Sequence, residues 1–267
     1  MFYADYHTHS SFSSDSSTPL EENIITAVNL GLKEIAVTDH IDFDYPDPEF
    51  PFLFDYEKYA CEISRLKEKY NGQIVIRTGV EIGIQPHVYG LIEELACRNY
   101  YDFIIGSTHC VDKFDLCTDE FFKGKSKHEA YAGYFKDVLN NVKNTDFFNV
   151  YGHIDFINRY GGFKDRTMDY GEFSFITDEI LKTLIEKGKG IEINTSGFRY
   201  GLGHCHPQAE LVKRYRELGG EIITVGSDAH VPKDIAADFD KAYHVLRKCG
   251  FKYITIFENR KPSFIKI

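Results

Sequence analysis

Short apolar runs alternate with longer amphipathic stretches along the whole chain. Residues 35–38, 74–80 and 103–108 are apolar runs of strand length, whereas residues 55–70 and 127–143 have the length and periodicity of helices. This repeated order of strand and helix predicts parallel βα units. Seven or eight such units fit the 267 residues as one barrel-like α/β domain spanning 1–267, because no linker or shift of composition divides the chain.

The predicted elements have clear boundaries. Strands are predicted at residues 3–6, 34–38, 74–80, 103–107, 148–151, 191–194, 221–225 and 253–257, and helices at 18–31, 55–70, 87–98, 127–143, 173–187, 208–218 and 237–249. The first helix is predicted to begin at Thr18-Pro19-Leu20-Glu21, which has the pattern of a capping box with proline at the first helical position. Gly31 is predicted to end it.

Most of these strands run into a histidine or an acidic residue. Six of the 11 histidines follow predicted strand ends, and the full set of such residues is His7, His9, His40, Glu81, His109, His153, Asp228 and His230. The carboxyl ends of parallel barrel strands lie on one face, where active sites form. These metal-binding residue types are therefore expected to converge, which predicts a multinuclear metalloenzyme.

The spacing within these motifs favours metal binding over structural roles. His7 and His9 lie two residues apart, so their imidazoles share one face of a strand. Glu81 can bridge two cations with its two oxygens, although an acid capping the next helix is the alternative. His109 and His153 have a buried structural histidine as the alternative reading. Asp228 and His230 suit metal binding or a general-acid role.

Two arginines follow strand ends on the same predicted face. Arg159 comes six residues after His153, and Arg199 follows the strand at 191–194. A guanidinium group suits bidentate binding of phosphate, and a surface ion pair is the alternative. The loops at residues 42–54 and 111–126 follow ligand-bearing strands, so they are either lids over the site or ordinary insertions. His204-Cys205-His206 is interpreted as loop structure.

Composition restricts the function further. The net charge of −10 disfavours a nucleic-acid surface, although bound cations would still allow an anionic substrate. No apolar run approaches the roughly 20 residues of a membrane helix. Residues 1–5 lack a targeting signal, and the six cysteines form no C-x-x-C pair, which predicts reduced thiols and a cytoplasmic location.

Taken in order, the motifs resemble those of a known family. His7-Thr8-His9-Ser10, Thr38-Asp39-His40, Gly79-Val80-Glu81, Gly106-Ser107-Thr108-His109, Gly152-His153 and Gly226-Ser227-Asp228-Ala229-His230 are similar to the successive motifs of the PHP (polymerase and histidinol phosphatase) superfamily. The resemblance implies a distorted (β/α)7 TIM-like barrel with a trinuclear metal centre at the strand ends. The segment from His7 to Ser16 resembles the stand-alone histidinol-phosphate phosphatase branch.

The resemblance also implies a ligand set. One metal would take His7, His9, Glu81 and Asp228; the second would share Glu81 and add His109 and His153; and the third would take Asp15, His40 and His230. Two to three divalent ions are expected, and nitrogen and oxygen ligands suit zinc, iron or manganese alike. Arg159 and Arg199 would bind phosphate, and Glu81, Asp228 and His230 would take part in catalysis.

The expected activity is hydrolysis of a small phosphorylated substrate, L-histidinol phosphate, in histidine biosynthesis. Two alternatives stay open: a phosphoesterase of the same family that acts on another small phosphomonoester or nucleotide, and a metal-binding regulatory domain without turnover. Neither a nucleic-acid nor a membrane partner is expected, and the sequence leaves the oligomeric state undetermined.

Overall fold

Seven parallel strands form a nearly closed barrel in this computed structural model, which describes residues 3–267. In sheet order the strands are β1 (Ala4–Asp5), β2 (Glu34–Val37), β4 (Val75–Gly83), β5 (Phe103–Ser107), β8 (Val150–Tyr151), β9 (Gly190–Asn194) and β10 (Ile223–Gly226). The backbone N–H of Tyr6 donates to O of Val225 at 2.9 Å, and Thr8 and Ala229 form a parallel bridge, so β10 returns to β1. The predicted (β/α)7 TIM-like barrel is confirmed.

The helices follow the strands as the amphipathic pattern predicts. They are α1 (Leu20–Asn29), α2 (Tyr56–Lys69), α3 (Tyr89–Arg98), α4 (Lys127–Asn144), α5 (Tyr170–Glu186), the short α6 (Ser196–Arg199), α7 (Ala209–Glu217) and α8 (Phe239–Lys248). Local sequence sets several starts: the Asp55 side chain accepts from two backbone N–H groups of α2, and Ser126 and Glu129 form a capping box on α4. No helix within residues 3–267 is long and apolar enough to cross a membrane.

The predicted capping box of the first helix is wrong. Helix α1 begins at Leu20, Pro19 occupies the N-cap position, and no side chain caps the helix. The Thr18 hydroxyl instead donates to the backbone O of His230 at 3.0 Å. Thr18 therefore connects the first loop to the end of the last barrel strand, a contact between residues 212 positions apart.

The predicted strand at 253–257 exists, but it is not a barrel strand. It is β11 (Tyr253–Glu258), which pairs antiparallel with β12 (Lys261–Lys266) as a separate two-stranded sheet. The Phe257 ring lies 5.1 Å from the Phe103 ring, and its backbone N–H donates to the Tyr6 hydroxyl at 2.7 Å. The hairpin thus packs against Phe103, the first residue of β5, and the Thr255 hydroxyl accepts from the backbone N–H of Ile223, the first residue of β10. These contacts lie at the amino-terminal ends of those strands, opposite to the histidine-bearing face.

A further strand lies where the sequence predicts a loop. Strand β3 (His40–Asp42) pairs in parallel with the second half of β4, with His40 beside Glu81 and Asp42 beside Gly83. Because β4 continues to Gly83, Glu81 lies inside a strand and not at its end. This extension places His40 and Glu81 next to each other on adjacent strands.

Candidate metal centre

Glu81 is the centre of a cluster of imidazoles on the carboxyl face of the barrel. Its side chain is fully buried. Oxygen Oε2 lies 3.0 Å from Nε2 of His7, 3.1 Å from Nδ1 of His40 and 3.6 Å from Nε2 of His9. Oxygen Oε1 lies 2.9 Å from Nε2 of His153 and 3.3 Å from Nε2 of His109. One carboxylate from β4 therefore faces five histidines.

Two further carboxylates orient two of these rings. Oε1 of Glu192 lies 2.7 Å from Nδ1 of His7, and Oδ2 of Asp42 lies 2.8 Å from Nδ1 of His109. Each carboxylate accepts the Nδ1 proton of its histidine, so in the neutral ring the Nε2 lone pair faces Glu81. Lone pairs and carboxylate oxygens at about 3 Å repel each other, and a cation between them turns this repulsion into coordination.

The donor set fits a multinuclear metal site. Four groups have ligand atoms that all lie within 4.8 Å of one another: His7, His9 and Glu81; Glu81, His109 and His153; His9, His40 and His230; and His40, Asp42 and His109. Nε2 of His9 and Nδ1 of His153 are buried and make no hydrogen bond with the described residues. Nitrogen and oxygen donors without thiolate suit zinc, iron or manganese.

The structure brings the residues of the first two predicted metal sets together. His7, His9 and Glu81 form one group, with Oδ1 of Asp228 3.4 Å from Nε2 of His9. Glu81 also lies in the second group, which is completed by His109 and His153. The assignment of each ion to its ligands stays a prediction.

The third predicted set lies at the mouth of the site. Oδ2 of Asp15 lies 3.0 Å from Nε2 of His230 and 3.8 Å from Nε2 of His40. The ring of His9 stacks between the rings of His230 and His40, with its centroid 4.1 Å from that of His230 and 4.2 Å from that of His40. His9 therefore lies between the first and third predicted sets, whereas Asp15 is the more peripheral ligand candidate.

The histidines of the cluster divide into two groups. Against the effect of burial, the carboxylates beside His7 and His109 raise the pKa of both rings, whereas the pKa values of His9 and His40 are lowered. Burial lowers the pKa of His9 to about 4, and the neighbouring His230 acts in the same direction. Burial also lowers the pKa of His40 to about 3, with a further contribution from His9. A neutral imidazole offers a lone pair, which is the form that binds a metal ion.

Asp228 connects the imidazole cluster to Arg159. Its Oδ2 accepts from Nη2 of Arg159 at 2.8 Å, and its backbone N–H donates to O of His7 at 2.8 Å. Its φ of 56° lies in the left-handed region, which is uncommon for a residue other than glycine. Such a conformation persists only where the surroundings enforce it, and it turns the Asp228 carboxylate toward the cluster.

A cavity of about 320 Å³ opens onto the cluster. Both long loops contribute to its wall, Tyr45 and Phe52 from the first and Asp115 and Cys117 from the second. The second loop is a small hairpin of β6 (Cys110–Val111) and β7 (Phe114–Asp115). These loops therefore shape the pocket, and their movement as lids stays a prediction.

The two predicted phosphate-binding arginines have different surroundings. Arg159 lines the cavity, and its guanidinium lies between the rings of Phe156 and Tyr200, 4.6 and 4.3 Å from their centroids. Arg199 does not line the cavity. Its Nη2 donates to the backbone O of Ser227 and of Asp228 at 2.9 and 2.7 Å, so it supports the segment that carries Asp228.

Several residues of the site were missed by sequence reasoning. Glu192 is absent from the predicted site, although an acid inside the apolar run Gly190–Asn194 is a signal by which sequence reasoning can find it. The sequence predicts that Asp42 begins the first long loop, whereas it is a buried residue of β3 whose carboxylate is hydrogen-bonded to His109. The interpretation of His206 as loop structure agrees with its position between α6 and α7, but it misses that the side chain is fully buried and contacts Arg159.

Known proteins share both the sequence and the fold. The PHP domain family matches residues 5–196. The histidinol-phosphatase of Lactococcus lactis is 33% identical over 263 residues, covering 96% of this chain and 95% of that protein. A probable histidinol-phosphatase of Clostridium acetobutylicum is also 33% identical, with 97% and 98% covered.

Solved structures agree with this relationship. The crystal structure of the Lactococcus lactis histidinol phosphate phosphatase, complexed with zinc, L-histidinol and phosphate, has a TM-score of 0.92 at 32% identity and covers 98% of both chains. A putative histidinol phosphatase of Listeria monocytogenes has the same fold at 19% identity and a TM-score of 0.73, covering 89% of this chain and 99% of that one. On its sequence match, and with the ordered motifs gathered on one face of the barrel, this chain belongs to the PHP domain family.

Proposed function

We propose that this chain is a metal-dependent phosphomonoesterase that hydrolyses L-histidinol phosphate to L-histidinol and phosphate, in histidine biosynthesis. The observation that carries the proposal is the position of Arg159 in the same cavity as the Glu81 cluster, which combines a cation site with an anion-binding side chain. The names of the full-length relatives at 33% identity support the substrate. A cytoplasmic location stays a prediction.

The chain's own ligands define where two to three divalent ions would bind. His7, His9, Glu81 and Asp228 would hold one ion, His109 and His153 with Glu81 a second, and Asp15, His40 and His230 a third. When bound, such ions activate water at neutral pH and neutralise charge on the phosphoryl oxygens. Glu192 and Asp42 hold the His7 and His109 rings in the tautomer that presents Nε2 to the site.

Arg159 would bind the phosphoryl group. The hydrogen bonds of its guanidinium to Ser196, His206 and Asp228 use Nε and Nη2, and none of its hydrogen bonds to described residues uses Nη1. Nη1 therefore remains available to donate a charge-assisted hydrogen bond to a phosphate oxygen. Because the group is already fixed between two rings, it stabilises developing charge without reorganising.

The leaving alcohol needs a proton, and the candidates are Asp228 and His230. Although burial opposes it, the neighbouring His7 and Arg159 hold the pKa of Asp228 well below its usual range, so its carboxylate is ionised at neutral pH and His230 is the better donor. Oδ2 of Asp228 is bonded to Arg159, whereas His230 lies at the mouth of the cavity with a side chain that is 28% exposed. Nδ1 of His230 lies 3.0 Å from the backbone O of Asp228, which leaves Nε2, beside Asp15, as the ring atom directed away from that backbone. Both roles stay proposals.

Asp115 would recognise the ammonium group of histidinol. Of the four carboxylates that line the cavity, Asp15 and Asp42 contact histidines and Asp228 contacts Arg159. Asp115 is bonded to neutral groups, the backbone N–H of Cys117 at 2.7 Å and the Tyr45 side chain. A buried carboxylate with neutral partners is suited to pair with a cationic ligand.

The decisive experiment measures phosphate release from L-histidinol phosphate, from a panel of other phosphomonoesters and from a phosphodiester, before and after chelation. We expect selective turnover of L-histidinol phosphate that chelation abolishes and divalent ions restore. Preferential turnover of another ester would replace the substrate but keep the phosphoesterase. No turnover by metal-loaded protein would favour the regulatory domain.

A matched pair of variants connects the activity to the cluster. Glu81→Gln removes the central carboxylate charge and should lose both bound metal and activity, because breaking a buried charge arrangement leaves its partners uncompensated. Glu68→Gln changes an exposed glutamate of α2 and should retain both. Full activity of Glu81→Gln would contradict the bridging role.

A further inference from the structure

Two buried side chains, Asp155 and His206, form a series of hydrogen bonds that ends at Arg159. Nδ1 of His206 lies 2.5 Å from Oδ1 of Asp155, and Nε of Arg159 lies 3.3 Å from Nε2 of His206. Asp155 and His206 are both fully buried, and the Arg159 side chain is only 4% exposed.

The hydrogen-bond chemistry allows only one arrangement of protons along the series from Asp155 through His206 to Arg159. Nε of arginine can only donate, so Nε2 of His206 must accept and cannot carry a proton. The single proton of the neutral ring then lies on Nδ1 and is donated to Asp155. Burial lowers the pKa of His206 to about 4, which agrees with a neutral ring at neutral pH.

His206 and Asp155 are each held in place by further hydrogen bonds. The backbone of His206 pairs with Asn194 at the end of β9, with N to O distances of 2.6 and 2.8 Å. Oδ2 of Asp155 accepts from the backbone N–H of Gln208 at 3.0 Å and from the side chain of Asn158 at 2.9 Å. The acceptor nitrogen presented to Arg159 therefore has a fixed position.

We propose that His206, held by Asp155, is a positioning residue that fixes the guanidinium of Arg159 for binding the phosphoryl group. The inference rests on the proposed function, because it assumes that Arg159 binds phosphate. The rings of Phe156 and Tyr200 confine the guanidinium plane, but stacking leaves rotation within that plane open. The hydrogen bonds of Nη2 to Ser196 and Asp228 hold one edge of the group, and the hydrogen bond from Nε to His206 holds the adjacent edge. Together they restrict this rotation and leave Nη1 free to face the phosphoryl group.

The first test compares product inhibition in three variants of the metal-loaded protein. In His206→Asn the shorter side chain can still donate to Asp155 but does not reach Arg159. We expect the inhibition constant of inorganic phosphate to rise about tenfold, the size of effect produced by losing a hydrogen bond to a charged group. The inhibition constant of L-histidinol should stay within about twofold, because the alcohol does not use Arg159.

Two companion variants make the comparison specific. His206→Gln carries a carbonyl oxygen that can accept from Nε of Arg159, and it should bring the phosphate constant to within about threefold of the unmodified protein. His244→Asn changes an exposed histidine of α8, and it should leave both constants unchanged. An equal rise of the phosphate and histidinol constants in His206→Asn, or no rise in either, would overturn the proposal.

A spectroscopic measurement on the unmodified protein does not depend on the variants. Nitrogen-15 shifts of the histidine rings, recorded on zinc-loaded protein, should assign His206 as the Nδ1–H tautomer at pH 7. An Nε2–H tautomer or a doubly protonated ring would overturn the proposal even if His206→Asn fails to fold. If the unmodified protein releases no phosphate from L-histidinol phosphate, the proposed function fails separately, and the tautomer still reports on the contact with Arg159.

Discussion

Glu192 contacts His7 on the side of the ring opposite to Glu81: its Oε1 lies 2.7 Å from Nδ1 of His7, although 185 residues separate the two in sequence. Its other oxygen accepts from the backbone N–H of His153 at 3.0 Å. One carboxylate of β9 therefore orients a ligand candidate of the first metal set and the backbone of a ligand of the second. The arrangement requires Gly226, because a Cβ there would lie 2.2 Å from Oε1 of Glu192 and 2.5 Å from Cβ of His7.

Removing Glu192 should weaken metal binding. In Glu192→Ala the Nδ1 proton of His7 and the N–H of His153 lose their acceptor, and metal affinity is expected to fall about 10- to 100-fold, the usual effect of losing such a partner. The metal affinity of Glu192→Gln should lie between those of the unmodified protein and Glu192→Ala, because the amide oxygen can still accept from Nδ1 of His7. Competition with a chromophoric chelator measures the affinity.

The control for this experiment is Glu186→Ala, which truncates an exposed glutamate at the end of α5. Its metal affinity should equal that of the unmodified protein. If Glu192→Ala and Glu186→Ala bind metal equally well, Glu192 has no role in orienting His7.

Gly83 should be required for the other oriented histidine. A Cβ at Gly83 would lie 1.6 Å from Oδ1 of Asp42, so Gly83→Ala must displace the carboxylate that accepts from Nδ1 of His109. We expect metal content to fall by at least about tenfold under chelator competition. Gly90→Ala is the control, because nothing lies within 4 Å of a Cβ there and alanine favours the helix α3, so it should bind metal normally. Normal metal binding by Gly83→Ala would contradict the requirement for glycine at this position.

The residues that sequence reasoning located are those marked by local patterns. His7, His109, His153 and Asp228 each follow a short apolar run, and parallel βα units bring all such ends to one face. The barrel and most of the ligand cluster could therefore be predicted without knowledge of any contact between distant residues.

The residues that were missed depend on contacts between distant parts of the chain. Asp42 lies in a strand only because β4 continues past Glu81 and offers an edge for pairing. The Thr18 hydroxyl does not cap α1, because in the folded protein it donates to the backbone O of His230. Neither contact has a sequence pattern of its own, so propensity predicted a loop in one case and a helix cap in the other.

Stability should depend on pH through Asp137, a residue of α4 far from the metal cluster in sequence. Burial raises the pKa of Asp137 to about 6, the nearby Asp112 adds to this, and its Oδ2 has no hydrogen-bond partner among the described residues. The folded state therefore binds the proton more tightly than the unfolded chain, whose pKa is about 3.8. The contribution of Asp137 to the free energy of unfolding therefore falls as the pH rises from about 4 to 6. Above that range the folded protein keeps the full destabilisation caused by the buried, ionised carboxylate.

Asp137→Asn should remove this penalty. The melting temperature at pH 8 is expected to rise by about 2–4 °C, which corresponds to about 1 kcal/mol in a chain of this size after allowance for the solvent-exposed part of the side chain. The gain should shrink as the pH approaches 4. Asp119→Asn, at an exposed position, is the control and should give no pH-dependent difference. A constant gain at all pH values would exclude ionisation of Asp137 as the cause.

Asp115 should decide the preference for an aminated substrate. Its carboxylate lines the cavity with neutral partners, so the ammonium group of L-histidinol phosphate is expected to supply the opposite charge. Asp115→Asn keeps the size of the side chain but removes its charge, and KM for L-histidinol phosphate should rise about tenfold or more, as for loss of a charged hydrogen bond. KM for the analogue that lacks the amino group should change by less than about threefold. Asp112→Asn, in the exposed turn of the same hairpin, is the matched control and should leave both KM values unchanged. A parallel rise of both KM values in Asp115→Asn would place the ammonium group elsewhere in the cavity.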